Sequence, residues 1–143
     1  MKNMVLAASL MVMSSLSAAD ARAAEVASVL ADGRLAHAFS SWGRPSLEGD
    51  WQIVEESGAF FIELSDNFRA KQGPDVKIFL SPTPAADVTG DNAVNGSVLV
   101  KQISDFDGSA RIAIPAGIDV NQFQSLVFHC EAYSKLWGSS KLR

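Results

Sequence analysis

Apolar positions from Trp42 onward come in short segments separated by turn residues. Trp51, Ile53 and their neighbours form one segment, closed by Ser57-Gly58, and Phe60, Phe61, Ile62 and Leu64 form the next. Val76, Ile78 and Leu80 alternate with Lys77, Phe79 and Ser81. Val98 and Val100 follow Asn95-Gly96, Ile112 and Ile114 precede Pro115, and Leu126, Phe128 and Cys130 alternate with Val127 and His129. A period of two, β-branched and aromatic content, and Gly, Pro, Asn and Asp between the segments predict β-strands. Several such strands in one small unit predict an all-β fold, an antiparallel β-sandwich. Residues 81–95, rich in Pro, Asp, Asn and Gly, read as a long surface loop without phosphate-loop or calcium-loop spacing.

The N-terminal part follows a different pattern. Lys2 precedes an apolar or small run from Met4 to Leu16, and Ala21-Arg22-Ala23 then fits the small-x-small rule. This is the order of a secretory signal, with cleavage expected before Ala24 and Ala19-Asp20-Ala21 as a nearby alternative. Residues 1–23 are read as signal peptide, 24–38 as a leader and 39–143 as one β-sandwich domain. Val26, Val29, Leu30 and Leu35 have partial helical spacing that Asp32-Gly33 interrupts, so the leader is a short helix or an approach to the first strand. No later stretch is long and apolar enough to span a bilayer. A periplasmic or secreted location is expected, with no transmembrane segment in the mature chain.

The chain has 12 basic and 16 acidic residues and a net charge of −4. Leaving out Lys2, Arg22 and Asp20 of the signal gives 10 and 15, a net charge near −5. Such a balance offers no long-range attraction for nucleic acid or anionic lipid. The cysteine count changes the picture more. Cys130 is the only cysteine. Exported proteins usually pair their cysteines, and a single one cannot form an intrachain disulfide. The thiol is therefore either a small buried hydrophobe or a group kept for chemistry.

Gly73-Pro74-Asp75-Val76-Lys77-Ile78-Phe79-Leu80-Ser81 is preceded by Asp66-Asn67-Phe68. Ile112-Ala113-Ile114-Pro115 follows, then Asp119, Phe123, Ser125, Leu126 and Val127, and the run closes with Cys130, Tyr133, Ser134, Trp137, Gly138 and Leu142. This order resembles the electron-transfer DM-thirteen domain family over roughly Phe39 to Leu142. It departs from that pattern where Ile112 and Ala113 stand in place of an aromatic before Ile-Pro. The resemblance implies a β-sandwich related to haem- or sugar-binding sandwich domains. It also implies a redox role centred on the cysteine.

Read residue by residue, Cys130 shares a strand face with Leu126 and Phe128, which suits inert core. A redox or nucleophilic thiol needs a nearby cation or helix N-terminus. His129 points to the opposite face, so Lys135, Arg111 or His37 would have to fold close. Asp75 follows a Gly-Pro turn and is expected to accept backbone N–H groups there. Tyr133 and Trp137 either pack over the core edge near Cys130 or line an electron path or groove, with packing favoured. No metal site is expected: there is no Cys-x-x-Cys and no histidine pair, and the four methionines all lie in the signal. The cofactor is unknown, and haem held by a lone histidine or by Cys130 is the less favoured option. A hydrolase built from Cys130, His37 and an aspartate lacks any nucleophile elbow.

The leading expectation is an exported domain with thiol-based electron transfer at Cys130, accessory to a redox protein partner and not a stand-alone turnover enzyme. The competing expectation is an extracytoplasmic binding or adhesion module with an inert buried cysteine. Trp42, Trp51 and the segment Pro82 to Asn95 are the places where its groove would show.

Overall fold

The computed structural model describes residues 26–143. The signal peptide read at 1–23 lies outside the described residues. Thirteen strands follow in chain order: β1 (Ser28–Arg34), β2 (Ala36–His37), β3 (Ser40–Ser41), β4 (Arg44–Pro45), β5 (Leu47–Glu48), β6 (Asp50–Glu56), β7 (Ala59–Leu64), β8 (Arg69–Ala70), β9 (Val76–Ser81), β10 (Val98–Gln102), β11 (Ala110–Ala113), β12 (Ser125–Cys130) and β13 (Lys135–Lys141). The chain is all-β with antiparallel pairing. One sheet has the order β1-β6-β7-β11, a second β10-β9-β12-β13-β2, and two small pairs join β3 to β4 and β5 to β8. Three single-turn 3-10 segments are the only helical elements among the described residues. None is long and apolar enough to cross a membrane.

The alternation read from the sequence sorts the side chains. Trp51, Ile53, Ile62 and Leu64 of the first sheet share one buried cluster with Ile78, Leu80, Leu126, Phe128 and Cys130 of the second. Successive strand residues point to opposite faces, so one face of each sheet supplies this core.

Two segments depart from their sequence reading. Ser28–Arg34, inside the stretch read as a leader, is a strand paired with β6, with a bulge between Val29 and Ala31. Asp32-Gly33 does not break it. Gly33 sits opposite Trp51, and a Cβ there would lie 3.2 Å from the indole. The glycine therefore lets the strand cross over a buried tryptophan.

The second segment is the stretch read as a surface loop. Its Val88 and Ala93 form a small buried cluster with Phe79 and Val127 on the outer face of the five-stranded sheet. Thr89 and Asn92 hold its turn, each side chain accepting the other's backbone N–H at 3.3 and 2.7 Å. The strand beneath is buried along its whole length. That is why β12 carries no charged side chain on either face.

Candidate functional site

Cys130 ends β12, the middle strand of its sheet. It pairs with Val76 at the start of β9 and with Lys135 at the start of β13. Its exposure is 0%, it belongs to the apolar core, and it is a free thiol. Among the described residues no hydrogen-bond partner or ion pair meets the sulfur.

The cations offered by the sequence are spent elsewhere. Lys135 Nζ lies 3.9 Å from the centre of the Phe39 ring. Arg111, on β11 in the other sheet, pairs with Glu56 and Glu63 and stacks 4.1 Å over Phe61. His37 is exposed on the edge strand β2. His129 faces away from the thiol, as the alternation requires. It is 2% exposed, its Nε2 lies 2.8 Å from the Gly90 carbonyl oxygen, and its Nδ1 has no partner.

Asp75 follows Gly-Pro and was expected to accept N–H groups of its own turn; its side chain instead reaches the turn after Cys130. Its Oδ2 accepts the Ala132 N–H at 3.0 Å, and its carbonyl oxygen accepts the Glu131 N–H at 3.3 Å. The 3-10 turn Glu131–Tyr133, which leads directly from Cys130, is thus held by the start of β9. Asp75 Oδ1 also pairs with Lys77 Nζ at 3.1 Å, and the same ammonium pairs with the Glu131 carboxylate. Hydrogen bonds to Glu131 and then Asp75 raise the Lys77 pKa above its ordinary value. Ser134 closes the turn in the left-handed region, with φ of 46°. Gly90 of the covering loop lies so close that a Cβ would meet the Ser134 carbonyl oxygen at 2.2 Å.

Trp137 is reached through a bulge. Phe128 pairs with Gly138 and His129 with Leu136, so Trp137 is the extra residue, and a bulge re-aims its side chain. The indole is buried, donates its N–H to the Lys71 carbonyl oxygen at 2.7 Å, and meets the Phe39 ring edge-on at 5.3 Å. Gly73 makes room for it: a Cβ there would come within 2.8 Å of the indole and 2.9 Å of Val76. Gly-Pro-Asp thus serves Trp137 with its first residue and the Cys130 turn with its third.

Tyr133 does not pack over the core edge. It is 69% exposed at the turn's end. A 3-10 turn presents its residues on several sides, and the phenol here faces solvent.

Cys130, Asp75 and Trp137 therefore converge at one end of the five-stranded sheet, with Tyr133 on its rim. Lys77 and Glu131 belong to the same end and were not singled out from the sequence. Asp75 and Lys77 stand two apart on one strand face, the one signal that could have marked them. Among the described residues no group of three His, Cys, Asp or Glu side chains could hold a metal ion. The family model described as electron transfer DM13 matches residues 38–142. No curated protein and no solved structure matches the chain.

Proposed function

We propose that this chain, which belongs to the electron transfer DM13 family, is an exported accessory domain that exchanges electrons with a redox protein through Cys130. The observation that carries the reading is the clamp of Asp75 on the turn leaving Cys130. It joins the family's Gly-Pro-Asp segment to the single thiol across the sheet. The two principal sheets share one core, which supports a sandwich architecture for the domain. The signal-like order of residues 1–23 supports export to the periplasm or the exterior.

One thiol without an intrachain partner can exchange electrons with a disulfide of another protein. The thiolate of Cys130 attacks a disulfide of the partner, a mixed disulfide forms, and the partner's other sulfur leaves as thiolate. In the closed state the sulfur is buried, so this step needs the Glu131–Tyr133 turn to open. Local openings of this kind occur below the cost of global unfolding. Asp75 and Lys77 set how often it happens.

A second reading keeps the family's fold without thiol chemistry. The full burial of Cys130 in apolar surroundings, with no cation at the sulfur, favours it. Alkylation of the native protein by a small reagent separates the two. Labelling faster than global unfolding allows, and accelerated by Asp75→Asn, supports the gated thiol. Labelling that appears only at the rate of global unfolding, in both proteins, leaves the inert cysteine. N-terminal sequencing of the exported protein tests processing, with Ala24 expected as the first residue. A mature chain that retains Met4 to Leu16 would overturn it.

A further inference from the structure

The hairpin β3–β4 and the cavity beside it have no part in the thiol clamp. The hairpin turns at Trp42-Gly43, where φ is 57° and 73°. This is the two-residue turn that Asn-Gly or Asp-Gly normally occupies. A bulky L-residue in the left-handed region is strained. Packing does not offset that strain, because Trp42 is 97% exposed. Neither turn chemistry nor the core accounts for a tryptophan here.

Arg44 and Pro45, on the second strand of the hairpin, wall a cavity of about 460 Å³. Arg69 and Lys71 line it, together with the carboxylates Glu48 and Asp107. Arg34, Lys77 and Arg111 are the cations held in ion pairs among the described residues, and none of the three cavity cations joins one. Arg69 donates to the carbonyl oxygens of Asp66 and Phe68, and Lys71 donates to the Ser41 hydroxyl at 3.2 Å. The Arg44 guanidinium has no hydrogen bond among the described residues, its backbone being paired with Ser41 in the hairpin. A chain with a net charge of −4 thus gathers three cations, unpaired with carboxylates, beside one exposed tryptophan. Solution screening over about 8 Å lets such a local field act against the sign of the whole domain.

We propose that this face docks an acidic segment of a protein partner, its carboxylates reaching Arg44 and Lys71 while Trp42 packs on the partner's surface. Exposed aromatics and arginines are the usual anchors of such interfaces. A small anion would fill the cavity and leave Trp42 uncovered. An anionic bilayer would meet the repulsion of an acidic domain. The Lys71 carbonyl accepts the Trp137 indole N–H, so the docked segment would lie one backbone layer from the Cys130 end. That the partner is a redox protein rests on the electron-transfer reading above, whereas docking itself is measured without redox chemistry, so the two fail separately.

The test is titration of the native protein with an N-acetylated hexaglutamate peptide, followed by isothermal titration calorimetry at low salt. Saturable binding is expected, weakened by salt and by roughly tenfold or more in Arg44→Glu. Trp42→Asn should weaken binding while raising the melting temperature, a combination that a merely structural tryptophan does not produce. Both positions are exposed, and a melting curve verifies the fold of each variant. No binding, or unchanged affinity in Arg44→Glu, overturns the proposal. So does citrate binding as well as the peptide, which indicates a small-anion site, or preferential binding to phosphatidylglycerol vesicles, which indicates a membrane.

Discussion

Asp75 accepts the backbone N–H of Ala132, 57 residues later, at 3.0 Å. A carboxylate at the start of one strand thereby fixes the turn at the end of its neighbour. The same residue accepts from Glu131 and pairs with Lys77, so one aspartate gathers the exit from Cys130. A carboxylate that accepts a backbone N–H makes a charge-assisted hydrogen bond, stronger than a neutral one.

Asp75→Ala should therefore cost about 1.5 kcal/mol, the low end of the range for hydrogen bonds to charged groups, because this one is solvent-exposed. Chemical denaturation reads this loss. Asp75→Asn keeps the side-chain acceptor and removes the charge, so its loss should be smaller. Equal stability of Asp75→Ala and the parent protein would show that the clamp contributes nothing.

The Lys77 ammonium gives stability a defined alkaline limb. Its folded pKa is raised above 10.5 by Glu131 and Asp75. Its contribution is therefore whole below that ordinary value and disappears as pH climbs through the higher folded value. The stability gap between the parent and Lys77→Met should be constant near neutral pH and close only above about 10.5. A gap that closes between pH 7 and 9 contradicts the assignment. High salt should also narrow the gap, because the pair is partly solvated.

Phe128 is fully buried on β12, and its ring centre lies 5.8 Å from that of Phe68. Phe128→Ala should cost about 3–5 kcal/mol, against a typical total of roughly 5–15. Urea denaturation should show the midpoint falling with little change in slope. A loss within error of zero would mean that β12 does not present this face to the core.

Cys130 is buried without a polar partner, so its replacements should rank by polarity before size. Cys130→Ser places a hydroxyl among apolar groups and should cost about 1–3 kcal/mol. Cys130→Ala removes one sulfur's contacts and should cost less. Thermal melts of both variants provide the ranking. Cys130→Ser as stable as Cys130→Ala would reveal a hydrogen-bond partner at the sulfur's position.

Much of this molecule was legible from its residue order. Period-two alternation in Val76–Ser81 and Ser125–Cys130 placed two central strands and told which side chains share a face. It put Cys130 with Leu126 and Phe128, and all three are core. Gly-Pro before Asp75 marked a carboxylate expected to take backbone N–H groups of its own turn, whereas the N–H it takes belongs to Ala132. The strand pattern is local: it follows from backbone geometry within a few residues.

What covers each face was decided only by the tertiary structure. Val127 and His129 point away from the core by the same alternation, yet the segment around Val88 to Ala93 buries them. Alternation reports direction and carries no information about a distant loop. The Glu131 partner of Lys77 and the Lys71 partner of the Trp137 indole lie 54 and 66 residues away, and no local spacing encodes either. The bulge that sends Trp137 inward is a property of strand pairing, visible only once β13 lies beside β12. The cations near Cys130 followed the same rule. Lys135 found the Phe39 ring and Arg111 found two glutamates, because chain packing assigns each charge its neighbour. Residue type determined which groups could ionise, and three-dimensional pairing determined what each charge meets.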